Sequence, residues 1–148
     1  FIPPVVREVA DFGSGAGFPG LVLAILAQAS LPNLHVTLVE SDRRKATFLS
    51  QSAHQLDLSI TVLTERAEVL APLSADVVTA RALAPLVALC GIAERHLMTG
   101  GVAIFPKGTH WDKELAEAAT QWQFEHQHKQ SQTDPMARIL TLRGIRHA

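Results

Sequence analysis

The chain holds one cysteine, no tyrosine and no excess of either charge: 13 Lys and Arg stand against 14 Asp and Glu, a formal net charge of −1. Each shortage excludes something. The single thiol, Cys90, cannot form an internal disulfide, and it stands in the apolar run Leu86-Val87-Ala88-Leu89-Cys90, which suits a core thiol rather than a nucleophile. A reducing, cytoplasmic setting fits a chain without disulfides. Without tyrosine there is no Tyr-x-x-x-Lys pair for hydride chemistry. Balanced charge removes the global positive field that draws basic proteins to nucleic acid, so any RNA contact must come from a local patch or from residues outside this stretch. No run of about 18 apolar residues occurs, and no membrane span is expected. Gly-Lys-Ser/Thr, Gly-x-Ser-x-Gly, His-x-x-x-His and Cys-x-x-Cys are all missing. Their absence disfavours P-loop NTPases, serine hydrolases and metal centres, including one built on His126 and His128.

What remains is a chain of 148 residues with 47% apolar composition, expected to form one domain over 1–148. It starts at Phe1, almost on its first apolar run, and reads as a piece of a longer protein with an N-terminal part missing. No secretory signal is visible in it.

The richest stretch is Val9-Ala10-Asp11-Phe12-Gly13-Ser14-Gly15-Ala16-Gly17-Phe18-Pro19-Gly20. An apolar strand enters, glycines follow at alternate positions, and an apolar helix leaves. Glycine lets backbone come into contact with a ligand and tolerates positive φ. A strand, such a loop and a helix in that order present N–H groups to a nucleotide or nucleoside.

Apolar runs and helical patterns then alternate. Strands are expected at Val9–Phe12, Val36–Glu40, Ile60–Leu63, Asp76–Thr79 and Val102–Phe105. Helices are expected over Phe18–Ser30, after an N-cap at Ser41 or Asp42 with Ala46, Leu49, Ala53 and Leu56 inward, and along Leu86, Cys90, Ala93 and Leu97, ended by Gly100-Gly101. A short helical turn is expected near Glu68 and a further helix over Asp112–Gln121. Phe124–Lys129 and Arg138–Leu142 alternate apolar with polar around Asp134-Pro135, as an antiparallel pair does. The sum is an α/β fold: a Rossmann-like, doubly wound, seven-stranded, mostly parallel sheet closed by a C-terminal antiparallel strand pair.

In such sheets ligands sit at the carboxyl ends of strands. That rule selects Asp11 to Gly17, Glu40 to Asp42, Ala67-Glu68, Arg81 to Pro85 and Pro106-Lys107-Gly108. Glu40 stands 27 residues after Gly13, where a carboxylate can accept both ribose hydroxyls; a helix-capping acid is the plainer role. Glu68 by itself suits a solvated turn. Arg81 suits an anionic partner or, equally, a surface loop, and Lys107 has the same two readings with less support for the first. Arg43-Arg44-Lys45 reads as a solvated helix face, and Arg138, Arg143, Arg146 and His147 as a solvated terminus.

The glycine run has two registers. Gly15-x-Gly17-x-x-Gly20 is the dinucleotide spacing, which keeps a nicotinamide-dependent oxidoreductase open. Asp11-x-Gly13-x-Gly15-x-Gly17 resembles the first motif of class I methyltransferases that use S-adenosylmethionine. Phe18-Pro19-Gly20, Leu38-Val39-Glu40-Ser41, Lys45, Phe48-Leu49, Arg66-Ala67-Glu68, Ala80-Arg81-Ala82 and Lys107-Gly108 follow in order. Together they resemble the RsmG (GidB) family of bacterial 16S rRNA guanine-N7 methyltransferases. The resemblance implies S-adenosylmethionine as cofactor, 16S rRNA or the small ribosomal subunit as partner, and a cytoplasmic monomer needing neither metal nor membrane. It implies a cofactor site made by Gly13, Gly15, Gly17, Phe18, Glu40, Ala67, Glu68 and Arg81. No general base is assigned, and Arg81 and Lys107 are candidate electrostatic or RNA contacts. Family members usually carry aspartate where Glu40 stands, and additional helices ahead of the first strand. A non-catalytic RNA-binding module on the same fold is the third reading.

Overall fold

The computed structural model describes residues 7–13, 34–58, 60–80, 84–130 and 135–148. Among these residues, seven strands form one sheet: β1 (Glu8–Phe12), β2 (His35–Val39), β3 (Ile60–Leu63), β4 (Ala75–Ala80), β5 (Leu97–Lys107), β6 (Trp122–Gln130) and β7 (Arg138–His147). Their order is β3-β2-β1-β4-β5-β7-β6. The first five pair in parallel, and β7 runs antiparallel to both of its neighbours. This is the doubly wound, mostly parallel sheet with a C-terminal antiparallel pair that the sequence predicts.

The central strands read as near-continuous apolar runs because both faces are covered. One face carries α2 (Leu86–His96) and α3 (Trp111–Ala118), packed over Phe12, Phe105, Leu140 and Leu142. Cys90 lies in this core, and burial pushes its thiol up to about 12. The other face carries α1 (Arg43–Gln55), whose Leu49 packs against Val36 and Leu38. Of the two expected caps it is Asp42 that accepts the Arg44 and Lys45 N–H groups, at 2.9 and 3.3 Å. Ala46, Leu49 and Ala53 are buried as expected, but Leu56 is 49% exposed. The helix has ended by then, and Asp57, at φ 53°, turns the chain away from the stripe.

Gly100-Gly101 does not end α2. The helix stops at His96, and Leu97 is already extended at φ −80°, ψ 139°. The glycines instead lie inside β5, where the pairing with β4 slips between Ala75 and Val77. Gly100 takes φ 84° there, and a Cβ on Gly101 would come within 3.0 Å of the Asp76 carbonyl oxygen. They allow a strand irregularity, a different use of the same freedom. The expected helix over Phe18–Ser30 lies outside the described residues.

Candidate functional site

Strand order reverses between β1 and β4, and the carboxyl ends of β1, β2 and β3 open onto a cavity of about 170 Å³. Phe12, Gly13, Glu40, Ser41, Ala67 and Glu68 are among the residues that line it. Four predicted site residues, from three separate loops, thus converge. Gly13 has φ 67° and donates its N–H to the Val39 carbonyl at 2.9 Å, tying the start of the glycine loop to β2. Glu40 follows β2 and is only 7% exposed. Its N–H donates to the Leu63 carbonyl, and its Oε2 accepts the Asp42 N–H at 2.9 Å. Glu40 therefore orders the start of α1 and also lines the cavity. Asp11 is fully buried and accepts a hydrogen bond from Thr79 Oγ1 at 2.5 Å, joining β1 to β4 where the order reverses.

Ala67 and Glu68 belong to a tight turn in which the Val69 and Leu70 N–H groups donate to the Arg66 carbonyl. Glu68 faces solvent with Arg66, their charged atoms 3.8 Å apart and exposed, a pairing that contributes little. Ala67 is buried, and the reason lies behind it. His96, at the end of α2, hydrogen-bonds the Ala67 carbonyl through Nε2 at 2.8 Å, and Arg95 Nε donates to the Leu70 carbonyl at 2.8 Å. Burial holds the His96 pKa below its usual value; the bond to Ala67 opposes that shift and the Arg95 charge adds to it. Sequence reading missed both side chains. Their one signal was a histidine three positions after Ala93, on the inward stripe of an apolar helix.

Lys107 ends β5 with its ammonium 2.9 Å from Glu114 Oε1 and 3.0 Å from the Ala84 carbonyl, its side chain 8% exposed. Its charge is directed into the fold. Gly15, Gly17, Phe18 and Arg81 lie outside the described residues. His126 and His128 pack against the rings of Phe124 and Trp111. A larger opening, about 650 Å³, lies by Trp122, Phe124 and Arg146, at the opposite end of the parallel strands from the ligand side.

Solved structures share this sheet. A Thermus thermophilus 16S rRNA N2 G1207 methyltransferase, solved with AdoMet and guanosine, superposes with a TM-score of 0.71 at 17% identity, over 97% of this chain and 36% of that one. A SAM-dependent methyltransferase from Aquifex aeolicus gives 0.68 at 13% identity, over 92% and 80%. The fold is that of the class I S-adenosylmethionine-dependent methyltransferases.

Sequence narrows this further. The family described as rRNA small subunit methyltransferase G matches residues 2–140, and the chain belongs to that family. Ribosomal RNA small subunit methyltransferase G of Ruegeria pomeroyi is 49% identical over 135 residues, 91% of this chain and 66% of that protein. The Paramagnetospirillum magneticum protein of the same name is 48% identical over 139 residues, 94% of this chain and 65% of its own length. The chain thus spans just under two thirds of these relatives.

Proposed function

We propose that this protein transfers a methyl group from S-adenosylmethionine to N7 of a guanine in 16S ribosomal RNA. Membership of the rRNA small subunit methyltransferase G family carries the reading, and the convergence of Gly13, Glu40, Ala67 and Glu68 on one cavity supports it. The residues suit a nucleoside. A positive-φ glycine allows close approach, a nearly buried carboxylate suits vicinal hydroxyls, and an apolar wall of Phe12 and Ala67 suits a flat base. When bound, S-adenosylmethionine supplies a methyl group on a sulfonium. Guanine N7 holds its lone pair at neutral pH, so no residue of the chain need remove a proton. The protein's part is placement, which can supply about 7–11 kcal/mol of a barrier. Gly13, Gly15, Gly17 and Phe18 cradle the cofactor, Glu40 holds the ribose, and Ala67 and Glu68 flank the base. Arg81 binds the methionine carboxylate or an RNA phosphate. We take the working form to be a cytoplasmic monomer acting on the small ribosomal subunit without a metal.

The test is transfer of label from S-adenosylmethionine by the intact protein to small ribosomal subunits, with the modified base mapped. Label at a guanine N7 in 16S rRNA is expected. Cofactor binding with no transfer to any subunit preparation refutes the enzyme and favours an RNA-binding module; binding of NAD(H) alone refutes the class.

A further inference from the structure

His96 is completely buried, yet it is polar, and its Nδ1 has no hydrogen-bond partner among the described residues. A buried polar atom left unpaired calls for an explanation. Its surroundings supply one. The ring centroid lies 4.8 Å from that of Phe12, and Nε2 lies 2.8 Å from the Ala67 carbonyl oxygen. Phe12 and Ala67 both line the cavity at the carboxyl ends of the strands. A carbonyl only accepts, so Nε2 carries the proton and Nδ1 is a bare lone pair in the core.

The peptide plane extends the argument. In a trans peptide the C=O and N–H of one unit point in opposite directions. With the Ala67 carbonyl turned to His96, the Glu68 N–H of the same unit turns away from His96. Arg95 holds the next part of the turn through the Leu70 carbonyl. Two adjacent side chains at the end of α2 thus fix carbonyls of the turn that walls the cavity.

We propose that His96, assisted by Arg95, is the positioning residue that sets the Ala67–Glu68 peptide so that its N–H meets a ring nitrogen of the cofactor's purine. The proposal rests on the nucleoside-cofactor reading given above. His96 does not touch the ligand; it acts through Ala67. Its neutral state is built in, because a second ring proton on Nδ1 would meet no acceptor among the described residues, and its lowered pKa agrees.

Calorimetry of the intact protein with S-adenosylhomocysteine tests this in H96Q and H96F. Glutamine places an N–H donor the same number of bonds from Cβ; phenylalanine fills the space without one. Kd is expected to rise about tenfold or more in H96F, the loss of one fixed hydrogen bond, and to stay within about threefold in H96Q. In turnover, KM for S-adenosylmethionine should rise in H96F with kcat little changed. Equal affinity in the two variants, both folded, would overturn the proposal. Should H96F fail to fold, ¹⁵N spectra of the unsubstituted protein decide. A neutral Nε2–H imidazole and a Glu68 amide resonance that moves on adding S-adenosylhomocysteine support the proposal; an Nδ1–H or doubly protonated ring, or a Glu68 amide that stays put, refutes it. Failure of the unsubstituted protein to bind S-adenosylhomocysteine would instead overturn the cofactor reading, and this proposal with it.

Discussion

Replacing Lys107 with Met separates two uses of one cation: an anchor inside the fold and a contact for RNA. Glu114 Oε1 takes the Lys107 ammonium at 2.9 Å and the N–H of Leu86 at 2.9 Å. Leu86 is the first residue of α2, and its N-cap, Pro85, offers no side-chain hydrogen bond. Glu114 therefore caps α2 from α3, where a negative charge is also favoured by the helix dipole. Lys107 neutralises that carboxylate and holds the Ala84 carbonyl at 3.0 Å. Met keeps the length and apolar stem but removes both bonds. Hydrogen bonds to charged groups are worth about 1.5–3 kcal/mol. Stranding a fully buried charge costs about 3–5 kcal/mol, but Glu114 is 23% exposed and can recruit water. The expected loss for K107M is about 2–3 kcal/mol, or about 5–10 °C in Tm for a domain of this size. E114Q keeps an acceptor for Leu86 and should cost about 1 kcal/mol. In the K107M background the same change should cost nearly nothing, because the charge it removes has lost its partner. Urea melts followed by circular dichroism, with unchanged m, give the cycle. A K107M midpoint equal to that of the unsubstituted protein, together with weakened RNA binding, would show that Lys107 is an RNA contact and not an anchor.

Three further outcomes follow from the site. Glu40→Gln should weaken S-adenosylmethionine binding about tenfold in calorimetry while Glu40→Asp stays within about threefold, since the shorter acid keeps the charge that a ribose recognises; equal affinities in all three would remove Glu40 from the ribose. Arg81→Ala should weaken binding of the cofactor or of RNA in filter or calorimetric assays, and unchanged affinity for both would sink the anion-binding role. Stability should depend on pH through His96 in a definite sense. Its folded pKa is lowered from the usual 6.5, so the unfolded chain binds the extra proton. Stability is then flat above that value and falls as pH drops below it, by at most about 1.4 kcal/mol per pH unit for one group. Between pH 7 and pH 5 the urea midpoint of the unsubstituted protein should fall further than that of H96Q, and parallel curves would refute the assignment.

The sheet was legible in the sequence because central parallel strands, covered on both faces, appear as uninterrupted apolar runs, and all were located to within a residue or two except β5, which begins five residues before its expected start. Gly13 and Glu40 were legible because they follow the ends of those runs; Ala67 and Glu68 entered the site through the family resemblance, and the fold brings all four to one cavity. The boundary at Gly100-Gly101 misled because glycine marks a need for unusual φ without saying whether a helix end or a strand irregularity demands it. What stayed hidden were pairings whose partners lie far apart in the chain: His96 with Ala67, 29 residues away, Leu86 with Glu114, 28 away, and Lys107 with Ala84, 23 away. No periodicity encodes such bonds. They form only after α2 and α3 have packed on the sheet, and their acceptors are often backbone carbonyls, which any residue supplies. A reading from side-chain identity finds the groups that face a ligand and overlooks those that hold the backbone behind it. The polar residue on an apolar stripe, as at His96, is the trace such a support leaves in sequence: burying a polar ring is costly, and here a fixed carbonyl at the cavity wall is the compensation.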